Sequence, residues 1–286
     1  MNDIINIKRF ALVLKKDFME NWKRYLLYFA ALVGIIALIM IIRANDAYDY
    51  AKRGYSLSLI GLNKDLLAIA TISFIVGGLL FASTMMDPMK GKTKRISYLI
   101  MPASNFEKYF SRWFIVSIGY IVAFFLALWL ADLIRMAVCS ARYPEMEVVA
   151  LNLQYLIAPE EGGNEVWRQY FIPHQAFLVG FPIYVLCQSL FVLGSLFWEK
   201  LSFIKTFAVG AIILTAFILV CRWTILVFYN KDFNQFGNVL ESFKFDEKVT
   251  VNQAFSIVAV IISVFAIVNW VIAYIRFKES EIIKRW

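Results

Sequence analysis

Long apolar blocks separated by shorter polar segments dominate this chain. Six blocks are long enough to cross about 30 Å of hydrocarbon as helices that rise about 1.5 Å per residue. A backbone amide finds no water in lipid, so each block must satisfy its hydrogen bonds internally, as a helix. The predicted spans cover residues 25–42, 66–86, 113–131, 175–198, 206–229 and 254–275.

The residues before the first span show a different periodicity. Between residues 4 and 24, apolar side chains recur every three or four positions, and charged residues fill the remaining positions. The apolar stripe consists of Ile7, Phe10, Ala11, Leu14, Phe18 and Trp22. We predict that residues 1–24 form an interfacial helix, an elbow that lies among the headgroups before the chain turns into the first span. The elbow is either a generic membrane anchor or a helix that also touches a cytoplasmic partner.

Composition and charge agree with a membrane protein and predict its orientation. Apolar residues make up 61% of the chain and charged residues 17%, and the mean hydropathy is +0.67. Eighteen of the 29 Lys and Arg lie in residues 1–24, 87–112, 199–205 and 276–286, whereas ten lie in residues 43–65, 132–174 and 230–253. The positive-inside rule therefore predicts that both termini are cytoplasmic. Topology and anionic headgroups account for the net charge of +8, so no nucleic-acid partner is expected.

These patterns together predict an all-α integral membrane protein. It has six transmembrane helices, an N-terminal amphipathic elbow helix and both termini in the cytoplasm. Residues 1–286 form a single transmembrane domain, in which residues 87–112 are a cytoplasmic loop and residues 132–174 a large extracytoplasmic loop. No Asn-x-Ser/Thr glycosylation signal occurs, and we expect a multi-pass protein of the bacterial plasma (inner) membrane.

The loop at residues 87–112 contains a short helix with its own start signal. Ser104-Asn105-Phe106-Glu107 matches a capping box, in which the Ser104 hydroxyl accepts from the amide of Glu107 and the Glu107 carboxylate accepts from the amide of Ser104. Pro102 ends the segment before it. The basic residues of the loop are Lys90, Lys92, Lys94, Arg95, Lys108 and Arg112. We predict a bent amphipathic unit under the membrane, on which a soluble protein docks.

The residue patterns that support catalysis are missing. Gly91-Lys92-Thr93 looks like the end of a phosphate-binding loop, but Met86 stands where that motif needs a glycine. His174 is the only histidine, which excludes a histidine-based zinc site or catalytic dyad. We predict that the chain is not an enzyme and that it binds no cofactor or metal itself.

Three charged residues are predicted at or near membrane depth, where charge is costly and often functional. Asp132 and Arg135 lie three residues apart near the outer end of the third span, so they can pair on one helical face. Arg222 lies about two turns from the outer end of the fifth span, near enough to extend to the interface. Interfacial pairing is one interpretation, and the lining of a translocation path is the other.

The loop between the second and third spans also resembles that of a known family. It reads Gly91-Lys92-Thr93, then Ser97-Tyr98-Leu99-Ile100-Met101-Pro102-Ala103-Ser104, then Glu107-Lys108. With the elbow and six spans, this loop is similar to that of the permease subunit of type-2 ATP-binding-cassette exporters. In those permeases it typically reads Gly-Thr, a pair of apolar residues, Pro-x-Ser and a following Glu/Lys. Here Lys92 stands between the glycine and the threonine.

The resemblance implies that the loop contains a coupling helix that rests in a groove of a separate ATP-binding-cassette ATPase subunit. ATP would then bind to that partner, and a second permease copy, identical or related, would complete the exporter. The residues implied in coupling are Lys94, Arg95, Leu99, Pro102, Ser104, Glu107 and Lys108. Membrane lipids are the remaining expected partner, and the exported substrate is left unidentified.

Two other functions stay open. The chain is alternatively a non-transporting polytopic membrane protein, an assembly factor or sensor, whose loop docks something other than an ATPase. An ion-coupled carrier is the third possibility, although the sequence shows neither the pair of unwound spans nor the intramembrane acid chain typical of such carriers.

Overall fold

A computed structural model describes residues 6–56, 58–156, 173–198, 200–229 and 251–282. Its α-helices in chain order are α1 (Ile7–Lys52), α2 (Leu59–Ala82), α3 (Lys92–Leu99), α4 (Asn105–Phe114), α5 (Tyr120–Arg142), α6 (Pro173–Phe197), α7 (Ser202–Tyr229) and α8 (Val251–Ile282). Short 3₁₀ segments cover Asp87–Met89 and Leu153–Leu156, and a π-helical turn at Ile115–Gly119 joins α4 to α5. No strand occurs among these residues.

Among the described residues, six helices are long and apolar enough to cross a membrane, and each overlaps one of the six predicted spans. The third of them is composite, because α4, the π turn and α5 follow one another without a break. Helices α6 and α8 pack extensively on each other, as do α1 and α5, while α7 lies at the periphery with α6 as its main neighbour. The described chain therefore has an all-helical, multi-pass architecture.

Helix α1 differs from the predicted elbow followed by a separate span. It is a single helix of 46 residues, which corresponds to a length of about 69 Å. The side chain of Asn6 caps its start by accepting hydrogen bonds from the amides of Lys8 and Arg9. Neither Gly nor Pro occurs before Gly34, so no residue breaks the helix where the elbow was expected to turn. Residues 7–24 thus continue directly into the first span.

The predicted outer loop at residues 132–174 is also partly helical, because α5 continues to Arg142. Residues 143–156 fold back over the adjacent end of the bundle, and residues 157–172 lie outside the described residues. The side-chain amide of Asn63 fastens this return segment, since it donates to the carbonyl of Asn152 at 3.1 Å and accepts from the amide of Asn152 at 2.9 Å.

Two buried clusters form the core, one toward each end of the bundle. The first joins α1, α2, α5 and the return segment through Ile36, Met40, Tyr48, Leu66, Phe124, Leu128 and Tyr143. The second joins α2, α6, α8 and the loop between α2 and α4 through Met85, Met86, Tyr98, Tyr109, Phe191, Val192 and Phe277. The second cluster supports the segments described in the next section.

Close packing between spans depends on two glycines of α2. A Cβ at Gly77 would lie 2.6 Å from the Tyr120 hydroxyl, and one at Gly78 would lie 3.0 Å from ring carbons of both Tyr120 and Tyr184. These two small residues therefore allow close helix approach within this chain, where the two tyrosines are buried.

We predict that Gly78→Ala destabilises the protein by about 1–3 kcal/mol, because two buried rings must move to admit the methyl group. The thermal unfolding midpoint in detergent measures the effect. Gly210→Ala is the matched control, since no atom lies within 4 Å of the added Cβ and alanine is the better helix former. Equal midpoints for the two variants would show that the packing at Gly78 is loose.

Candidate docking site

Segments that are far apart in sequence meet at one end of the bundle, here called the basic end. They are the first turns of α1, the loop of residues 83–104 with α4, and the last turns of α8. The ring of Tyr98 contacts that of Phe277 at 6.2 Å between centroids, and the Tyr109 hydroxyl donates to the carbonyl of Trp270 at 3.1 Å. The N-terminal part of α1 packs along α4.

Glu107 joins the start of α1 to the start of α4. The predicted capping box is present, with the Glu107 amide 3.2 Å from the Ser104 hydroxyl and the Ser104 amide 3.0 Å from the Glu107 carboxylate. The same carboxylate accepts from Arg9 Nε at 2.6 Å and from the amide of Asn6 at 2.8 Å. The Glu107 side chain is fully buried, and it therefore caps two helices at once.

This arrangement places a negative charge at the N-terminus of α1, where the helix has no acidic residue of its own. The first turn of α1 contains no acidic residue, and a carboxylate near a helix N-terminus is favoured by the helix dipole. Burial alone would raise the pKa of Glu107, but the hydrogen bonds from Arg9, Asn6 and Ser104 outweigh it and lower the pKa to about 2. Glu107 is therefore ionised at neutral pH.

Asp17 makes a second link between α1 and α4. Its carboxylate accepts from Arg112 Nη2 at 3.1 Å and from the Ser111 hydroxyl at 3.3 Å, and Asp17 is only 2% exposed. Arg112 also donates to the Tyr25 hydroxyl at 3.4 Å and lies over the ring of Tyr98. Burial raises the pKa of Asp17 even though Arg112 acts to lower it. The pair therefore carries a desolvation cost that its mutual attraction must offset.

Further contacts continue this line along α1. Phe10 packs on Phe110 and Phe114, with ring centroids 5.6 and 6.4 Å apart. Arg24 reaches Asp87 at 3.2 Å on the far side of the loop. The first helix is thus attached to the loop and α4 at its start, at Asp17 and at Arg24, just before the predicted first span.

The predicted elbow stripe has a mixed environment. Phe10 is part of the contact with α4, and Leu14 and Phe18 line a groove beside α2. Phe18 and Trp22 are exposed. The residues of this segment that are buried are Val13 and Asp17, neither of which belongs to the stripe.

Two internal bonds fix the loop's own shape. Lys108 Nζ donates to the carbonyl of Leu99 at 2.8 Å, and the Tyr98 hydroxyl donates to the carbonyl of Lys108 at 2.8 Å. These bonds tie α3 to α4 across the bend at Pro102. Lys108 is buried, so its ammonium group bonds within the loop and does not contribute to the loop's surface.

One face of the loop remains open for contact with another molecule. Ile96 is 57% exposed and Ile100 is 75% exposed, and both lie on or beside α3. Lys94 and Pro102 are exposed with them, while Arg95 is half-buried and donates to the carbonyl of Met89 at 3.1 Å. Of the residues predicted to take part in coupling, Lys94 and Pro102 are therefore on the surface. Ser104, Glu107 and Lys108 hold the loop together.

The charged residues predicted near membrane depth fall into two environments. Asp132 and Arg135 pair as predicted, at 2.7 Å, and both are buried. The pair also holds the return segment, because Arg135 donates to the carbonyl of Val149 at 2.8 Å and Asp132 accepts from the amide of Leu151 at 2.9 Å. Arg222 is exposed on α7. The arrangement gives Asp132 and Arg135 a structural role at the bundle's end.

Sequence reasoning missed Asp17 and the role of Arg112. A signal was available, because Asp17 follows Phe10 by seven residues and Val13 by four, on the helix face that carries apolar residues. An acid on such a face needs a buried cation, and Arg112 is a cation on the amphipathic helix of the loop.

Comparisons with protein-family models, with curated proteins and with solved structures find no match for this chain. Within the described ranges, no group of three or more His, Cys, Asp or Glu is placed to hold a metal ion. The function must therefore be inferred from the basic end itself.

The link at Glu107 predicts a pH dependence of stability. Its pKa is about 2 in the folded protein and about 4.5 in an unperturbed glutamate, so the link contributes fully above pH 4.5 and is lost as the pH falls toward 2. We expect Glu107→Gln to lower the thermal midpoint above pH 4.5 and to flatten its decline below that value. The control is Glu20→Gln, whose exposed carboxylate meets Lys16 at 3.6 Å. Parallel profiles for Glu107→Gln and the unmodified protein would contradict the link.

Proposed function

We propose that this chain is the membrane subunit of an exporter of the type-2 ATP-binding-cassette layout, in a bacterial plasma membrane with both termini cytoplasmic. A separate ATPase subunit binds and hydrolyses ATP, and two permease copies enclose the path of the exported substrate. The observation that carries the proposal is the exposed apolar face of α3, held rigidly at the end of a six-helix bundle.

This face suits the docking of a soluble protein. Ile96 and Ile100 project from a basic loop, beside the exposed Lys94. Two exposed isoleucines beside an exposed lysine form a small apolar patch with a charged edge, and protein interfaces likewise combine an apolar centre with a polar rim. The internal bonds of Lys108 and Tyr98 hold this face in one shape, which lowers the entropic cost of binding.

The links at Glu107 and Asp17 supply a route from the docked partner to the membrane. A force on α3 reaches α4 through the bonds at Leu99 and Lys108, and it reaches α1 through the two buried carboxylates. Because α1 is continuous, its first turns and the first span move as one body. An ATPase that binds two packings of the spans with different affinity would shift the equilibrium between them.

The decisive experiment replaces the apolar face. We expect the double substitution Ile96→Asp and Ile100→Asp to weaken co-purification with the proposed ATPase subunit by at least about tenfold, since each buried isoleucine contributes about 1.5–3 kcal/mol. Leu201→Asp is the matched control, because Leu201 is 66% exposed in the loop between α6 and α7.

Transport in vesicles should fall with the association. Unchanged binding of the ATPase by the double variant would contradict the proposed docking face. Purification of the unmodified chain with another soluble protein and no ATPase would contradict the exporter and favour an assembly or sensor function.

A further inference from the structure

A long groove separates the first span from the second and third at the basic end. Its walls come from α1, from the end of α2 and from the π turn with the start of α5, and its volume is about 840 Å³. Ligand pockets in proteins usually have volumes of about 300–1,000 Å³. The lining is almost entirely apolar, which excludes a polar metabolite as its occupant.

Small residues keep the groove open. Ala31 lines it from α1 and Ala123 from α5, while Gly77 and Gly119 line it from α2 and the π turn. The back wall includes the ring of Tyr120, whose hydroxyl donates to the carbonyl of Phe74 at 2.8 Å. A hydrogen bond between two helices that form its walls therefore helps to fix the shape of the groove.

The groove is long and continuous along the first helix. Its lining runs along α1 from Ala11 to Ile35, a length of roughly 36 Å at 1.5 Å per residue. An apolar groove of this length, with small residues in its walls, suits a flexible chain of methylene groups.

The depth of the groove matches one leaflet of a bilayer. Tyr25 lies where the predicted first span begins, and Ile35 is ten residues further along α1. Ten helical residues rise about 15 Å, which is half of a hydrocarbon core of about 30 Å. The upper part of the groove therefore spans the acyl region of the leaflet at the basic end.

From Tyr25 toward the N-terminus of α1, the groove reaches the depth of the lipid headgroups. The charged side chain that lines this part of the groove is basic. Lys15 lines this part of the groove, and Lys8 lies seven residues earlier on the same face of α1. The nearby carboxylate of Asp17 is buried against Arg112, away from the groove. Ser83 and Thr84 are the polar residues on the opposite wall.

We propose that the groove binds one anionic phospholipid of the leaflet at the basic end. One acyl chain lies between Tyr25 and Ile35, and the phosphate lies beside Lys15. The lipid fills the gap between the first span and the bundle, so it completes the packing of α1. This inference does not depend on the identity of the protein that docks on α3.

Native mass spectrometry tests the site with defined lipids. The full chain is reconstituted with equal amounts of phosphatidylglycerol and phosphatidylcholine that carry the same acyl chains, and it is then released from the membrane mimetic. We expect one retained lipid per chain, with phosphatidylglycerol favoured at least threefold. Lys15→Gln should bring this preference close to one.

Filling the groove should remove the bound lipid. We expect Ala123→Phe to reduce retention at least fivefold, whereas Ala211→Phe, on the exposed surface of α7, should leave it unchanged. If Ala123→Phe does not give a folded protein by circular dichroism and gel filtration, Ala31→Phe on the facing wall is measured in its place.

Several results would overturn the site. Equal retention by the groove-filled and unmodified chains would show only exchange with bulk lipid. A preference for phosphatidylglycerol that survives Lys15→Gln would place the headgroup elsewhere. Loss of a dimer without loss of lipid in the groove-filled variant would assign the groove to a second copy.

Discussion

Two buried carboxylates hold the first helix of this protein against the loop between its second and third spans, and the rest of the basic end depends on them. Glu107 caps α4 and the start of α1 together, and Asp17 receives the buried guanidinium of Arg112. A buried carboxylate is tolerated only when hydrogen bonds and a cation replace its water. Each link therefore specifies one arrangement of α1 on the loop, because any other arrangement leaves a buried charge without its partner.

A rigid connection at this end has consequences for the membrane part. Since α1 runs unbroken from Ile7 to Lys52, the loop and the first span are mechanically continuous. The return segment at the opposite end is fastened by a buried ion pair of its own, Asp132 with Arg135. Buried charged contacts thus hold the helices together at each end of the bundle, and apolar packing holds them together in between. The groove beside α1 lies within this frame, and a lipid there would take part in how α1 rests on the bundle.

Much of the fold could be predicted from the sequence, because lipid imposes helices on every long apolar block. The six spans were found, and the capping box at Ser104 was found because its signal is confined to four residues. The continuity of α1 was not predicted, because an amphipathic segment before a span is compatible with a bend or with a straight helix. Its course depends on Glu107 and Arg112, which lie about a hundred residues away along the chain. The bonds of Glu107 to α1 and of Lys108 to Leu99 were missed for the same reason, because they depend on tertiary contacts.

A double-mutant cycle on Asp17 and Arg112 tests the central claim most directly. The free energy of unfolding is measured for Asp17→Asn, Arg112→Gln and the combined variant, with Arg43 and Asp65 as an exposed reference pair at 2.6 Å. The buried link predicts that each single change costs about 3 kcal/mol or more. It also predicts that the two changes together cost less than their sum by at least about 1 kcal/mol, against at most about 1 kcal/mol of coupling for the reference pair. Additive effects at Asp17 and Arg112 would contradict the account, because they would show that the two residues do not hold α1 on the loop.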